Sequence, residues 1–174
     1  DIQSRAVMAV ILATIMMFIY IFVRFKNWQY GLGAVASTIH DTLVVLGIYS
    51  LLWGIMPFSM EIDQSFIAAI LTVIGYSIND TVVVFDRLRE FLPLHRKRPV
   101  KEVLNLALND TLSRTLNTGI ASILVLIIMF FFGGTTIRGF LFAMLIGIIV
   151  GTYSSIFVAT SLLYDTTKKK GLKS

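Results

Sequence analysis

The sequence has no cysteine, three prolines and two histidines among 174 residues. Without cysteine there is neither a disulfide framework nor a thiolate metal site. His40 falls in an apolar run and His95 in a polar segment, and a metal site would need further ligands at helical spacing, so no metal is expected. Charge is also scarce. Lys, Arg, Asp and Glu make up 14% of the chain, against about 25% in soluble domains. There is no GxxxxGK[ST] loop, no Gly-rich nucleotide loop and no nucleophile elbow. Energy for any active process must therefore come from a gradient or a partner, and the chain reads as a non-enzyme without a bound cofactor.

Hydrophobic residues are plentiful at 56% of the chain. This is the composition of an integral membrane protein, with no stretch left over for a soluble domain of useful size. The net charge of +5 comes from basic residues that flank apolar runs. That pattern belongs to membrane loops rather than to a nucleic-acid surface, so the lipid bilayer is the expected medium and nucleic acid is not an expected partner.

Five apolar runs approach or exceed the roughly 20 helical residues needed to cross a bilayer: 6–23, 30–55, 66–85, 114–132 and 140–163. The first is too long for a signal peptide, and it lacks a basic start and a small-residue cleavage site. The chain opens on Asp1, and we expect it to be the later part of a longer protein. Arg24, Lys26, the polar stretch with Arg87, Arg89, Arg96, Lys97, Arg98 and Lys101, and the tail with Lys168, Lys169, Lys170 and Lys173 fall on one side of this topology. Arg5 and Arg138 fall on the other. The positive-inside rule then puts the N-terminus outside and the C-terminus in the cytoplasm. Within the polar stretch 86–113, Pro93 and Pro99 bracket a basic turn. From Val100 the spacing of Val103, Leu104, Ala107 and Leu108 predicts an amphipathic helix on the cytoplasmic membrane surface that leads into the fourth span.

Polar residues inside apolar runs are the candidate site. Asp80, beside Asn79 and Thr81, lies about 21 Å along the third span at 1.5 Å per residue. A carboxylate there is costly, by roughly 3 kcal/mol or more, and so marks a functional group. Asp41 lies about 16 Å into the second span, next to His40. Neighbours in a helix point about 100° apart, so these two should not share a face. Arg114 opens the fourth span, followed by a polar stripe with Thr115, Asn117 and Thr118. Two carboxylates and a guanidinium at similar depth predict a proton relay of Asp80, Arg114 and Asp41. In it, Asp80 takes up a proton when desolvated and gives it up when Arg114 approaches. The competing structural reading is a static buried ion pair that fixes helix register. The hydroxyls of the stripe have a plainer reading too, as donors to their own backbone carbonyls. Gly147 and Gly151 form a GxxxG that suits close packing inside a bundle better than dimerisation.

Several dispersed stretches resemble the SecF family, the smaller half of the bacterial SecD–SecF protein-export complex. They are IGYSINDTVVVFDRLRE at 74–90, NDTLSRTLNT at 109–118, HDTLVVLGIYS at 40–50, FGG at 132–134 and LIGIIVGTYSSIFVA at 145–159. The resemblance implies an all-α membrane fold: five helices of a six-helix half-bundle of the resistance-nodulation-division type, plus the cytoplasmic amphipathic helix. It implies that a preceding span and an extracytoplasmic domain lie outside this sequence. It further implies that Asp80 and Arg114 occupy the family's proton path, coupling a proton or sodium gradient to movements that pull an exported polypeptide outward. The implied partners are a SecD half, the SecYEG channel and the unfolded polypeptide, with YajC as a further candidate, at the bacterial inner membrane. The chain departs from the family with Asp110 where glutamine is common and Gly119 where serine is common. Two other readings stand beside this one: an exporter of lipids or small molecules from the same superfamily, and a passive scaffold of the translocon. An intramembrane aspartyl dyad of Asp41 and Asp80 is the weakest, since it needs the carboxyls about 3 Å apart.

Overall fold

A computed structural model describes residues 2–170. The side chains of Arg5, Lys168, Lys169, Lys170 and Lys173, counted above for orientation, lie outside the described residues. The elements in order are α1 (Ile2–Phe25), α2 (Trp28–Leu52), α3 (Gln64–Leu94), α4 (Val100–Phe132), a 3-10 turn (Thr135–Ile137), α5 (Arg138–Ser154), a π turn (Ser155–Ala159) and α6 (Thr160–Lys170). The last three form one continuous rod, so among the described residues five helical rods are long and apolar enough to cross a membrane.

Local chemistry sets the ends. Lys26 adopts a left-handed φ of 56° and its N–H donates to the Phe22 carbonyl, closing α1. Gly54, with φ of 76°, turns the chain just after α2. The Asp63 carboxylate accepts a hydrogen bond from the Phe66 N–H at 2.9 Å and caps α3, as expected of an N-cap aspartate.

α3 is the centre of the bundle and packs against α1, α2, α4 and α5. Its buried stripe runs Phe66, Ala69, Ile70, Val73, Ile74, Ser77, Asp80, Thr81, Val84, Phe85 and Leu88, at helical spacing. At the basic end, Phe25, Tyr30 and Phe85 cluster with ring centroids 4.8–6.0 Å apart. At the other end Tyr49 packs on Phe66 and donates its hydroxyl to the Gly139 carbonyl. α1 presents mostly exposed aliphatic side chains, including Met8, Ile11, Leu12, Met16 and Val23.

Two boundaries differ from the sequence expectation. α3 continues past Phe85 to Leu94, and the amphipathic segment from Val100 is the first part of the same helix as the fourth span. The physical reason is mutual cover. The segment buries Val103, Leu104 and Ala107, and Arg87 of α3 pairs with Asp110 of α4. The two extensions thus form an antiparallel pair whose apolar stripe is sheltered by protein.

Candidate functional site

Asp80 is 4% exposed, and its Oδ2 has no hydrogen-bond partner. The Arg87–Asp110 pair fixes the antiparallel register of α3 and α4. Stepping seven residues along each helix sets Asp80 level with Asn117. Arg114 then sits about one turn nearer the basic end, some 4.5 Å along the axis at 1.5 Å per residue. Asp80 and Arg114 form no ion pair in this structure, where the described pairs are Arg24–Asp86, His40–Asp41, Arg87–Glu90 and Arg87–Asp110. Arg114, Asn117 and Asn79 are exposed.

Asp41 is in a different situation. It is fully buried, and its Oδ2 accepts a hydrogen bond from the Ser77 hydroxyl of α3 at 2.6 Å. Its Oδ1 lies 3.2 Å from His40 Nδ1. The two neighbours therefore touch despite their angular separation on α2, because the imidazole is long enough to curl back across it. α5 closes this junction. A Cβ added to Gly151 would stand 3.1 Å from Ser77 Cβ and 3.6 Å from Asp41 Oδ2, and a Cβ added to Gly147 would collide with Val73. The GxxxG glycines thus let α5 lie against α3 at Val73 and Ser77.

Among the hydroxyls, Thr81 donates to the Ser77 carbonyl at 3.0 Å and Thr118 to the Arg114 carbonyl at 2.9 Å, the usual arrangement in membrane helices. Thr115 is 1% exposed, and its hydroxyl has no partner. The sequence points to Thr152 only as a small residue suited to close helix packing, and it does not point to Ser77 or Tyr76. Ser77 could have been found, because it lies one turn from both Asp80 and Thr81 on the buried stripe.

The arrangement separates the two carboxylates chemically. Asp41 has both oxygens engaged and joins three helices. Asp80 keeps a buried carboxylate oxygen without a partner on the central helix, where a carboxylate is costly. Among the described residues no group of three or more His, Cys, Asp or Glu side chains is placed to hold a metal ion.

Comparison with known proteins places this geometry in a family. The family described as protein export membrane protein SecD/SecF, C-terminal, matches residues 1–169. The protein translocase subunit SecF of Rhodothermus marinus is 50% identical over 165 residues, covering 95% of this chain and 53% of that protein. The protein translocase subunit SecDF of Brucella abortus is 47% identical over 161 residues, covering 92% of this chain and 20% of that one. A crystal structure of SecDF in a super-membrane-facing form superposes with a TM-score of 0.87 at 39% identity, covering 97% of this chain and 22% of that one. The chain spans about half the length of the SecF relatives it matches. It is a multi-pass membrane protein, and it belongs to the SecD/SecF C-terminal family of protein-export membrane proteins.

Proposed function

We propose that this chain is the gradient-coupled membrane part of a SecF-type auxiliary subunit of Sec protein translocation. Asp80 is the group that loads and releases the coupling ion, and Arg114 is the charge whose approach drives release. The observation that carries this reading is the buried, unpartnered Asp80 oxygen on the central helix of a chain in an export family. Exchange of Asp80 between a shielded state and one paired with Arg114 requires a state in which the two are unpaired, and the absence of an ion pair between them here supports that reading. Asp41 belongs to the relay as the carboxylate that holds α2 to α3.

A SecD half is the proposed partner. The Brucella abortus relative carries both names in one chain. Asn79, Arg114 and Asn117 are also exposed on helices built to cross a membrane, and polar groups at such depth face protein or water rather than lipid. The subunit would act beside the SecYEG channel in the bacterial inner membrane, with the basic ends of the helices in the cytoplasm.

The test is export of a reporter protein in cells carrying Asp80→Asn, with membrane levels of the variant measured by blot. We expect export to fall to the level of cells lacking the subunit while protein levels stay normal. Normal export would instead make Asp80 a structural group and favour a scaffold role.

A further inference from the structure

Two basic turns among the described residues stand at different heights. The α3–α4 turn, with Arg96, Lys97 and Arg98, begins nine residues beyond Phe85, the end of the apolar run of α3. That is about 13 Å at 1.5 Å per residue, past a headgroup layer of about 5–7 Å. The α1–α2 turn is only two residues long, between Phe25 and Trp28. Exposed apolar side chains continue on α1 to Val23, and Trp28 is itself exposed, as aromatics at the bilayer edge commonly are. This second turn therefore lies at headgroup level. Arg89, four residues past Phe85 and about 6 Å farther along α3, reaches the same layer.

The turn gathers positive charge. Arg89 donates from Nη1 to the Arg24 carbonyl at 3.2 Å. Arg24 pairs with Asp86 at 2.9 Å. Lys26 and Arg89 are exposed, and neither forms an ion pair among the described residues. Three cations thus accompany one carboxylate, and two positive charges stay uncompensated. Lys26 holds a left-handed φ of 56°, a conformation that glycine adopts without steric cost. A lysine kept there points to a use for its ammonium.

The helix that follows adds to this field. Asn27 stands at the N-cap of α2 with no side-chain bond to the first turn, and its Nδ2 turns back to the Phe25 carbonyl. The positive end of α2 is left open to an outside acceptor. Gln29, in that first turn, is 5% exposed, and its Oε1 has no hydrogen-bond partner. A buried oxygen ordinarily finds a donor. The site therefore suits a ligand with an anionic group and a hydrogen-bond donor together. Beside it, Ile15, Ile19, Phe22 and Val23 of α1 are exposed and apolar, a wall for hydrocarbon chains.

We propose that the α1–α2 turn and Arg89 bind the headgroup of an anionic phospholipid of the phosphatidylglycerol class. Lys26 and Arg89 neutralise the phosphate, and the open end of α2 receives its oxygens. A glycerol hydroxyl supplies the donor that Gln29 lacks, and the acyl chains lie along α1. A choline headgroup would bring a further cation and no such donor. This site at the bilayer edge stands whether or not Asp80 loads an ion.

The experiment is native mass spectrometry of the full-length subunit with its SecD partner, released from phosphatidylcholine nanodiscs that carry increasing phosphatidylglycerol. The readout is the number of phosphatidylglycerol molecules retained per complex. In Lys26→Gly and in Arg89→Gln, one retained lipid should need about fivefold more phosphatidylglycerol, the effect of one cation near an anionic surface. Arg89→Lys should recover it. Lys26→Gly suits the left-handed turn, so a loss there reports the ammonium and not misfolding. Gln29→Leu should weaken phosphatidylglycerol but leave phosphatidic acid, which has no headgroup glycerol, as in the wild type. Wild-type retention in Lys26→Gly and Arg89→Gln would overturn the site. An equal loss in the tip variant Arg96→Gln/Arg98→Gln would also overturn it, by showing a response to bulk charge. Displacement of the lipid by soluble glycerol phosphate at equal concentration would make this a free-phosphate site and sink the lipid assignment.

Discussion

Replacing Ser77 by alanine deletes the hydrogen bond that carries α3 onto the α2 carboxylate. Side-chain hydrogen bonds between membrane helices average about 0.6 kcal/mol and reach about 1.7 kcal/mol, because the unfolded chain in the membrane also finds partners. Bonds to a charged partner in proteins generally contribute about 1.5–3 kcal/mol. The Ser77–Asp41 bond is 2.6 Å long and both residues are 0% exposed, which places it at the upper end of the membrane range. We therefore expect a coupling of about 1.5 kcal/mol in a double-mutant cycle of Ser77→Ala and Asp41→Ala, roughly a tenfold change in the folding equilibrium. The assay is unfolding of the purified protein in mixed micelles with rising dodecyl sulfate, followed by fluorescence of Trp28 and Trp53. A coupling under about 0.5 kcal/mol would mean that Asp41 is held by other means and would refute the reasoning. Asp41→Asn supplies a second check. An amide oxygen can still accept from Ser77, so this variant should keep more stability than Asp41→Ala.

Two further outcomes follow from the packing. Gly147→Ala should destabilise the bundle by about 1–3 kcal/mol through overpacking against Val73, and Gly151→Ala by less, since its nearest neighbour stands 3.1 Å from the added carbon; equal losses in the same titration would contradict the contact geometry. Lys26→Gly should raise stability by up to about 1 kcal/mol by relieving a left-handed residue with a side chain, seen as a higher midpoint in thermal unfolding, and a lower midpoint would show that the lysine side chain matters more than its backbone strain.

Much of the architecture is legible in the sequence for a simple reason. A span must be apolar over its whole length, and that signal survives without knowledge of neighbours. Asp80 is legible on the same ground, as a carboxylate where none is cheap. What depends on the neighbouring helix is not legible. The nine residues by which α3 outruns its apolar stretch are helical because α4 covers them, and Arg87 meets Asp110 only once the two helices are in register. Arg114 can be identified from its position at the head of a span, but its exposure and its lack of an ion pair with Asp80 depend on side-chain placement. Ser77 and Thr152 each look like ordinary membrane hydroxyls. Only the tertiary register shows that one holds a carboxylate, while the other leaves its hydroxyl without a partner.

The π turn at Ser155–Ala159 has a consequence for the phase of the last rod. Gly147, Gly151, Ser155, Ala159, Leu163 and Thr167 are all buried, at a strict spacing of four. In an α-helix a step of four turns the chain about 400°, overshooting a full turn by about 40°. Five such steps would accumulate about 200° of drift and carry Thr167 to the far side. The π turn holds one residue more per turn and takes back about 100° of that drift. The ladder stays on one side of the rod, so that a single stripe meets α3 at one end and α2 at the other. At the correction itself, the Ala159 carbonyl lies 2.8 Å from where a Cβ on Gly33 of α2 would stand. A glycine on the second helix and an extra residue in the fifth are thus two halves of one phase adjustment.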